Sequence, residues 1–542
     1  MGTFVLALHS HLPYCRGAGR WPHGEEWIHE AVLGTYLPLL VLLHDLRDAG
    51  VPFRIVIGLT PVLLEQLADH DVDVRNLEYI DDQVRRAERD VRRFVDADDH
   101  ASAALAGFYV DSFRRLREAY RTRFGRDLVG AFADLARTGH VEILTSAATH
   151  GYLPLLDRAS VEAQLRIGLR SSRRLLGFAP KGIWLPECAY APGLETVLED
   201  HGLTHFFTDA ALLPGGARPA ADVAGRRGKS ELGRFAAREA HTAVAPVATV
   251  ATPTEVDLLR PYYVGDSSVV AIARHERVSG QVWSAFMGYP GDAHYREFHR
   301  KDDQSGLRYW RVTSVHKGLS EKEQYSPGRA AERAREHASH FVSVVREELT
   351  GPQTDGQDPL LAVTFDSELF GHWWFEGVDW LGLVLRELAT SDVTVATAVE
   401  YLDREPPRER VALAEGSWGK NNDHSTWLNE STAWMWDELE RLAGEMRALD
   451  GTVSRDDPLR ERAGRQAMRE LLLAQSSDWP FLVTTGQAAD YAVERFRAHA
   501  QRFRRAVAIA RGGDPYEDEV ELRSLERADN PFPDATIADF AG

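Results

Sequence analysis

Cysteine is nearly absent from this chain: 542 residues carry only Cys15 and Cys188. Two thiols so far apart exclude a disulfide scaffold and suit a reducing compartment, so a cytoplasmic location is expected. Lysine is scarce as well, confined to positions 181, 229, 301, 317, 322 and 420, and the other basic side chains are arginines. Acidic side chains outnumber basic ones, 82 to 63, for a formal charge of −19. That balance excludes the positive footprint of a nucleic-acid or anionic-membrane binder. No uninterrupted apolar run approaches the roughly 18 residues of a membrane span, so none is expected. The opening Met1-Gly2-Thr3-Phe4-Val5-Leu6 lacks the basic flank of a signal peptide, and Leu6 does not fit the myristoylation pattern. No segment repeats at a fixed period.

Apolar material is plentiful, at 44% of residues, and its arrangement suggests a fold. Seven short runs are nearly continuous rather than alternating: Phe4–Leu8, Phe53–Leu59, Val141–Leu144, Gly182–Leu185, His205–Thr208, Val269–Ala273 and Leu360–Phe365. Continuous runs of this length read as strands buried on both faces. Helical periodicity lies between several of them, for example over 107–124 and over 160–177, which opens at Ser160. Alternating strands and helices predict a parallel α/β sheet, and seven strands suggest a closed or nearly closed barrel with its functional residues where strands end. Residues 213–261 are rich in Ala, Gly, Pro and Arg with little periodicity, and are expected to form an inserted loop or subdomain at the mouth. After about residue 400 strand signals fade, and helices are predicted at 431–448, 457–475 and 488–511. The expected organisation is a barrel over 1–400, an α-helical domain over 401–525 and a peripheral tail over 526–542.

Polar residues follow the predicted strands. His9-Ser10-His11-Leu12-Pro13-Tyr14 comes directly after the first, and its two histidines suit either metal ligation or hydrogen bonds to a polar substrate. Glu142, in the third strand, leads towards His150-Gly151-Tyr152, a weak signal alone. Trp184-Leu185-Pro186-Glu187 puts a carboxylate at a strand end among aromatics, where burial raises its pKa; a helix-capping role for Glu187 stays open. Cys188 lacks an identifiable His–Asn partner set, so a thiol nucleophile is disfavoured. Phe365-Asp366-Ser367-Glu368 ends a second buried strand, with His372-Trp373-Trp374 close behind. Two carboxyls from different strand ends are the minimum equipment for cleaving a glycosidic bond. Gly228-Lys229-Ser230 looks like part of a phosphate loop, but the Gly needed five residues before the Gly-Lys pair is Val223 and no strand precedes it.

Thirteen tryptophans complete the picture. Core packing is the default for any one, but Trp283, Trp418, Trp427 and Trp479 stand near polar loops. Indole faces there suit the C–H faces of sugar rings. Ser417 to His424 and Gln475 to Phe481 look like sugar-handling segments, which would place the helical domain beside the cleft.

Together these segments resemble glycoside hydrolase family 57, and within it the 1,4-α-glucan branching enzymes. His9 to Tyr14 is similar to the first family motif, Glu142 to His150 to the second, and Trp184 to Glu187 to the nucleophile motif. Phe365 to Trp374 resembles the acid/base motif, and the surroundings of Trp418 the fifth. The resemblance implies an incomplete (β/α)7 barrel with an α-helical C-terminal domain, acting on α-glucan with retention and without metal or other cofactor. It implies Glu187 as nucleophile and Asp366 as general acid, then base. His9, His11, His150 and His372 would bind sugar at the cleavage point, Trp283, Trp418 and Trp427 would stack chains, and Asp478 would bond hydroxyls. A monomer or small homo-oligomer is expected. Relatives carry a lid loop, sometimes with a Tyr near the reaction centre; between Tyr190 and Tyr262 this chain has none, leaving Tyr262 or Tyr263 or a different balance of transfer and hydrolysis. An α-amylase or 4-α-glucanotransferase would share Glu187 and Asp366. A metal-dependent deacetylase using His9, His11 and Asp366, or a silent glucan binder, are the readings from other classes.

Overall fold

Ten strands organise the described residues: β1 (Thr3–Ser10), β2 (Ile55–Leu59), β3 (Val141–Leu144), β4 (Gly182–Ile183), β5 (His205–Thr208), β6 (Pro261–Val264), β7 (Val270–Ala273), β8 (Leu360–Asp366), β9 (Thr394–Val395) and β10 (Arg410–Val411). They come from a computed structural model that describes residues 2–19, 23–214, 256–284, 288–314, 316–350, 356–449, 451, 453 and 457–540. All seven apolar runs contribute strands. β3, β2, β1 and β8 pair in parallel as one sheet, with β9 on the far part of β1. A second sheet holds β10, β6, β7, β5 and β4, parallel except where β6 meets β7. Two parallel bridges, Thr145 with Ile183 and Arg274 with Ala362, join the sheets at both seams. The carboxyl ends of β1, β2, β3, β4, β5, β7 and β8 therefore open on one side.

Helices cover the strands. The segment read as a helix from Ser160 runs Arg158–Leu176, starting earlier because the Asp157 side chain accepts the Ser160 amide. His70–Asp96 and His100–Glu118 form a long hairpin, each capped by an aspartate just before it. After the strands come Ala433–Leu449, Pro458–Ala474 and Ala489–Arg511, within about two residues of the predicted bounds.

Three expectations need correction or limits. The tail is not peripheral: Pro515–Ala528 is a helix, Phe532 and Phe540 are buried, and Asp539 pairs with Arg170 at 2.7 Å. Secondly, the continuous helical stretch Glu26–Asp48 is long and apolar enough to cross a membrane by length and composition. The sequence hides it because His29, Glu30, Gly34 and Thr35 interrupt the run, and Ile28, Leu33, Tyr36, Leu39, Leu40, Leu43 and Leu46 are buried in the core. Of the inserted loop expected over 213–261, residues 215–255 lie outside the described residues.

Within Glu26–Asp48, Val32–Tyr36 is a π-helical turn, the kind of irregularity often found at functional sites. Here it brings backbone against backbone. A Cβ on Gly371, whose φ is +92°, would stand 1.9 Å from the Gly34 carbonyl oxygen, and the Thr35 hydroxyl donates to the Phe370 carbonyl at 2.9 Å. This close approach seats the 367–374 loop that follows β8. Gly371→Ala is expected to lose about 1–2 kcal/mol from the left-handed backbone and ~1–3 kcal/mol from overpacking. Differential scanning calorimetry checks this; a Tm within about 1 °C of wild type removes the glycine constraint.

Candidate active site

Glu187 stands just past β4, in a turn that the sequence forces out of regular structure. Pro186 starts the turn, and Glu187 and Cys188 both take positive φ, 62° and 47°. Such conformations cost about 1–3 kcal/mol each and persist where the surroundings over-determine them. Here they do: Trp418 Nε1 donates to Glu187 Oε2 at 3.0 Å, Ser477 Oγ donates to Oε1 at 2.8 Å, and the Trp418 amide donates to the Glu187 carbonyl at 3.1 Å. Burial raises the Glu187 pKa, while the bonds from Trp418 and Ser477 oppose the rise by favouring the ionised form. Glu187 is thus oriented by two donors, and the helix-cap reading has no support.

Three imidazoles stack beside it. His11 lies 3.9 Å from His150 centroid to centroid, and His9 lies 4.6 Å from the Trp184 indole at 9° between planes. The bonds set the tautomers. Ser477 gives its proton to Glu187, so it accepts at 2.9 Å from His150 Nδ1–H. His150 Nε2 is then an acceptor, and His9 Nε2–H donates to it at 3.1 Å. This leaves His9 Nδ1 buried without a partner, facing Gly58. Burial and the neighbouring His11 charge push the pKa values of His9 and His150 well below the ordinary range, and both are neutral. His11 differs. Burial works against its charge, but Asp478, bonded to Nε2 at 2.9 Å, and the Glu187 and Glu368 carboxyls raise its pKa. Its Nδ1 contacts Thr60 Oγ1 at 3.1 Å.

Asp366 ends β8 directly opposite His9 in register. Burial, then the carboxyls of Glu368 and Glu187, push its pKa up to about 8, against the pull of His11 and Arg274. Arg274 extends from the end of β7 and pairs with Asp209, beyond β5, at 2.7 Å. Glu368 is pushed to about 7 by burial, moderated by its bonds from the Tyr36 hydroxyl and the His11 amide.

The structure brings together Glu187, Asp366, His9, His11, His150, Trp418 and Asp478. Trp283 joins them at the edge, edge-to-face with Trp418 at 6.3 Å and bonded through Nε1 to the Thr364 carbonyl at 2.9 Å. Two expected members stand apart. His372 packs against Phe298 and Trp373 and lines a separate cavity on the outer side of its loop, where burial and Arg308, Arg296 and Lys301 lower its pKa to about 3. Trp427 is only 1% exposed, beneath Gly419 and against Tyr152, so it supports the Trp418 loop from below instead of offering a face. Neither candidate lid tyrosine is mobile chain: Tyr262 is buried with its hydroxyl on the Asp257 backbone, and Tyr263 lies in β6 beneath Arg410. Glu142 holds β3 to His205 at 2.9 Å, away from the strand ends.

Sequence reasoning missed Ser477, Tyr36, Thr60, Arg274 and Asp209, and noted Glu368 beside Asp366 without giving it a role. Ser477 had a signal, since it adjoins Asp478 in a polar turn ending a helix. Tyr36 had none, because it reads as part of an apolar helix face. Among the described residues one His/Asp/Glu group has metal-like spacing, Glu470, His499 and Asp529, far along the helical region. There His499 Nδ1 meets Glu470 at 2.8 Å and Arg502 pairs with Asp529, which makes it a hydrogen-bonded tie between helices.

Known proteins share this architecture. Residues 5–414 match Glycosyl hydrolase family 57, and residues 438–540 match a domain described as 1,4-alpha-glucan branching enzyme, C-terminal. The 1,4-alpha-glucan branching enzyme of Thermococcus kodakarensis is 40% identical, over 99% of this chain and 78% of its own length. Its crystal structure, in complex with glucose and additives, superposes with a TM-score of 0.88 at 39% identity, covering 99% of this chain and 96% of that one. A probable branching enzyme of Mycobacterium tuberculosis is 35% identical over 94% of this chain and 93% of its own. The alpha-amylase AmyC of Thermotoga maritima superposes with a TM-score of 0.83 at 29% identity, covering 100% of this chain and 99% of that one. Matched over most of its length, the chain belongs to glycosyl hydrolase family 57.

Proposed function

We propose that this protein is a 1,4-α-glucan branching enzyme working by double displacement with retention. The observation that carries the reading is a pair of carboxyls with opposite assignments in one buried space. Glu187 is held by two donors that favour its anion, and Asp366 keeps its proton up to about pH 8. Glu187 attacks the anomeric carbon of a donor chain while Asp366 protonates the departing 4-oxygen, which leaves a glucosyl ester on Glu187. Asp366, now ionised, takes the proton of an acceptor 6-hydroxyl, whose oxygen displaces Glu187 to form the α-1,6 link. Neutral His9 and His150 carry the hydrogen-bond chain that positions Ser477 on Glu187 without adding charge, and Trp418 and Trp283 provide indole surface at the edge. The match of residues 438–540 to a branching-enzyme C-terminal domain supports branching over simple hydrolysis. We read the seven strands joined by the two bridges as an incomplete (β/α)7 barrel, with β6, β9 and β10 as additions. The chain's two cysteines are buried and unpaired, in keeping with a cytoplasmic location.

A second reading, an α-amylase, draws on the likeness to AmyC and on the absence of a lid tyrosine among the described residues. The deacetylase reading fares worse. His9, His11 and His150 lie stacked, and their nitrogens bond each other, Thr60, Ser477 and Asp478 instead of converging on one point.

Incubation with amylose followed by counting α-1,6 linkages is expected to show new branches exceeding released reducing ends, unaffected by chelator. Reducing ends without branches turn the assignment to the amylase. Glu187→Gln is expected to abolish turnover and Asp366→Asn to lower kcat about 10²–10⁴-fold.

The pH dependence follows from the same pair. kcat/KM rises on the acid side as Glu187 ionises and falls above about pH 8 as Asp366 loses its proton. An alkaline limb that persists unchanged in the residual activity of Asp366→Asn assigns it elsewhere.

Folding stability carries the same signature. A carboxyl raised from its ordinary value of about 3.9 binds its proton more tightly when folded. Its stabilisation is complete below that value and is lost as pH climbs through about 8. Asp366→Asn is therefore expected to gain Tm relative to wild type between pH 5 and pH 9; a constant difference rejects the raised pKa.

A further inference from the structure

The outer side of the 367–374 loop faces a cavity of about 920 Å³, separate from the Glu187–Asp366 gap and walled by Glu26–Asp48, the His70–Asp96 and His100–Glu118 hairpin, and the 296–308 segment. Its size is at the upper end of small-molecule sites, about 300–1,000 Å³. Three features of its wall point to one ligand chemistry.

Charge comes first. Arg86, Lys301 and Arg308 share the wall with Glu26, Glu30 and Asp379, so donors and acceptors alternate without a dominant sign. A cavity for a phosphorylated or carboxylated ligand concentrates cations; a balanced one suits a neutral molecule rich in hydroxyls. Secondly, Arg296 and Arg308 line the cavity, and each guanidinium lies over an aromatic ring, Phe375 at 3.8 Å and Phe298 at 4.5 Å respectively. A planar guanidinium held in place by stacking is a fixed donor group for hydroxyl oxygens. Finally, Trp373 is 49% exposed, one of the few large apolar side chains left in solvent, and its ring lies 4.5 Å from Phe298 beside the His372 wall. Such an indole is a stacking surface for a pyranose face.

We infer that this cavity, together with Trp373 beside its His372 wall, is a second α-glucan site that holds a remote stretch of the polymer while another part reacts. The inference rests on the proposed glucan chemistry and extends it. The loop makes the connection: Trp373 donates its amide to the Glu368 carbonyl at 3.1 Å, and Glu368 in turn accepts from His11. A chain seated on the outer side therefore lies one loop away from the reacting carboxyls. Its contribution is affinity for long chains and not the bond-making step.

Two full-length variants test this, neither changing a side chain in contact with Glu187 or Asp366, and Trp373→Ala keeps the backbone amide that bonds Glu368. Trp373→Ala removes the platform, and Ser112→Trp fills the cavity from the His100–Glu118 helix. Each is expected to raise KM for long amylose at least fivefold with kcat within twofold of wild type. In the inert Glu187→Gln background, each is expected to weaken retardation in amylose-containing native gels by a similar factor. Maltoheptaose should quench tryptophan fluorescence in Glu187→Gln with an added phase that Trp373→Ala deletes. Unchanged KM and unchanged retardation in both variants overturn the site. So does quenching by glucose 6-phosphate with none by maltoheptaose, which makes the cavity an anion site. Branch counts on the wild type run in parallel: their absence overturns the branching assignment, while the retardation result still decides the glucan site.

Discussion

One imidazolium balances the carboxyls on which the site is built. His11 touches Asp478 directly and feels Glu187 and Glu368 nearby, with Asp366 also within its field. At an effective dielectric near 20, a pair of unit charges 4 Å apart interacts by about 4 kcal/mol, enough to decide a protonation state. Without that cation, the bonds from Trp418 and Ser477 would alone oppose burial at Glu187. Arg274 adds a second, weaker pull at Asp366, yet burial and the neighbouring Glu368 and Glu187 carboxyls still favour its protonated form. The neutrality of His9 and His150 is therefore as important as the charge on His11. Their low pKa values follow first from burial and then from that charge, since a protonated His11 in ring-stacking contact repels a second proton.

The C-terminal helical region completes the site. Ser477 and Asp478 come from the turn after Pro458–Ala474, and each holds a group from the strand ends: Ser477 binds Glu187 and His150, and Asp478 binds His11. The seam is fixed by backbone as well as side chains. Gly151 and Ser476 form an antiparallel bridge, the Ser477 amide donates to the His150 carbonyl at 3.0 Å, and buried Arg495 donates to the Tyr14 carbonyl at 3.0 Å. A strand-end motif that reads as self-sufficient in sequence is thus only half of a site. Its hydrogen bonds come from residues 290 to 467 positions away.

Much of this was legible in the sequence. The seven apolar runs marked their strands because β1 to β5, β7 and β8 are covered on both faces, and continuous burial leaves a continuous apolar trace. Glu187 and Asp366 were legible for the same reason: each is the first carboxylate after such a run. What stayed hidden was relational. Tyr36 sits in a helix whose other side chains are core, and only the π-turn and the Gly34–Gly371 approach carry it to Glu368. Trp427 and Trp418 look alike in sequence, nine residues apart in one polar loop, yet one lies beneath the loop and the other bonds Glu187. Spacing gives no sign of which side of a loop faces inward. His372 failed in the same way, because Gly371 at positive φ turns the chain and sends the next side chain outward.

Strain is concentrated where precision is required. His150, Glu187, Cys188, Asn421 and Asn422 all take positive φ without being glycine, and all lie in the loops around Glu187. At about 1–3 kcal/mol each, the set rivals the net stability of an ordinary domain. Large buried contacts in the helical region offset it: Met435, Leu442, Met446, Leu471, Leu472 and Phe503 are all 0–1% exposed. The arrangement has a chemical reason. On the proposed double displacement, a glucosyl ester has to survive until an acceptor hydroxyl arrives, and a loosely held carboxylate would sample positions open to water. Fixing Glu187 through an unfavourable backbone, held by Trp418 and Ser477, confines the ester to one orientation between buried walls. Partition between transfer and hydrolysis then depends on what reaches the Asp366 side, where the ionised carboxyl selects whichever hydroxyl lies within hydrogen-bond reach.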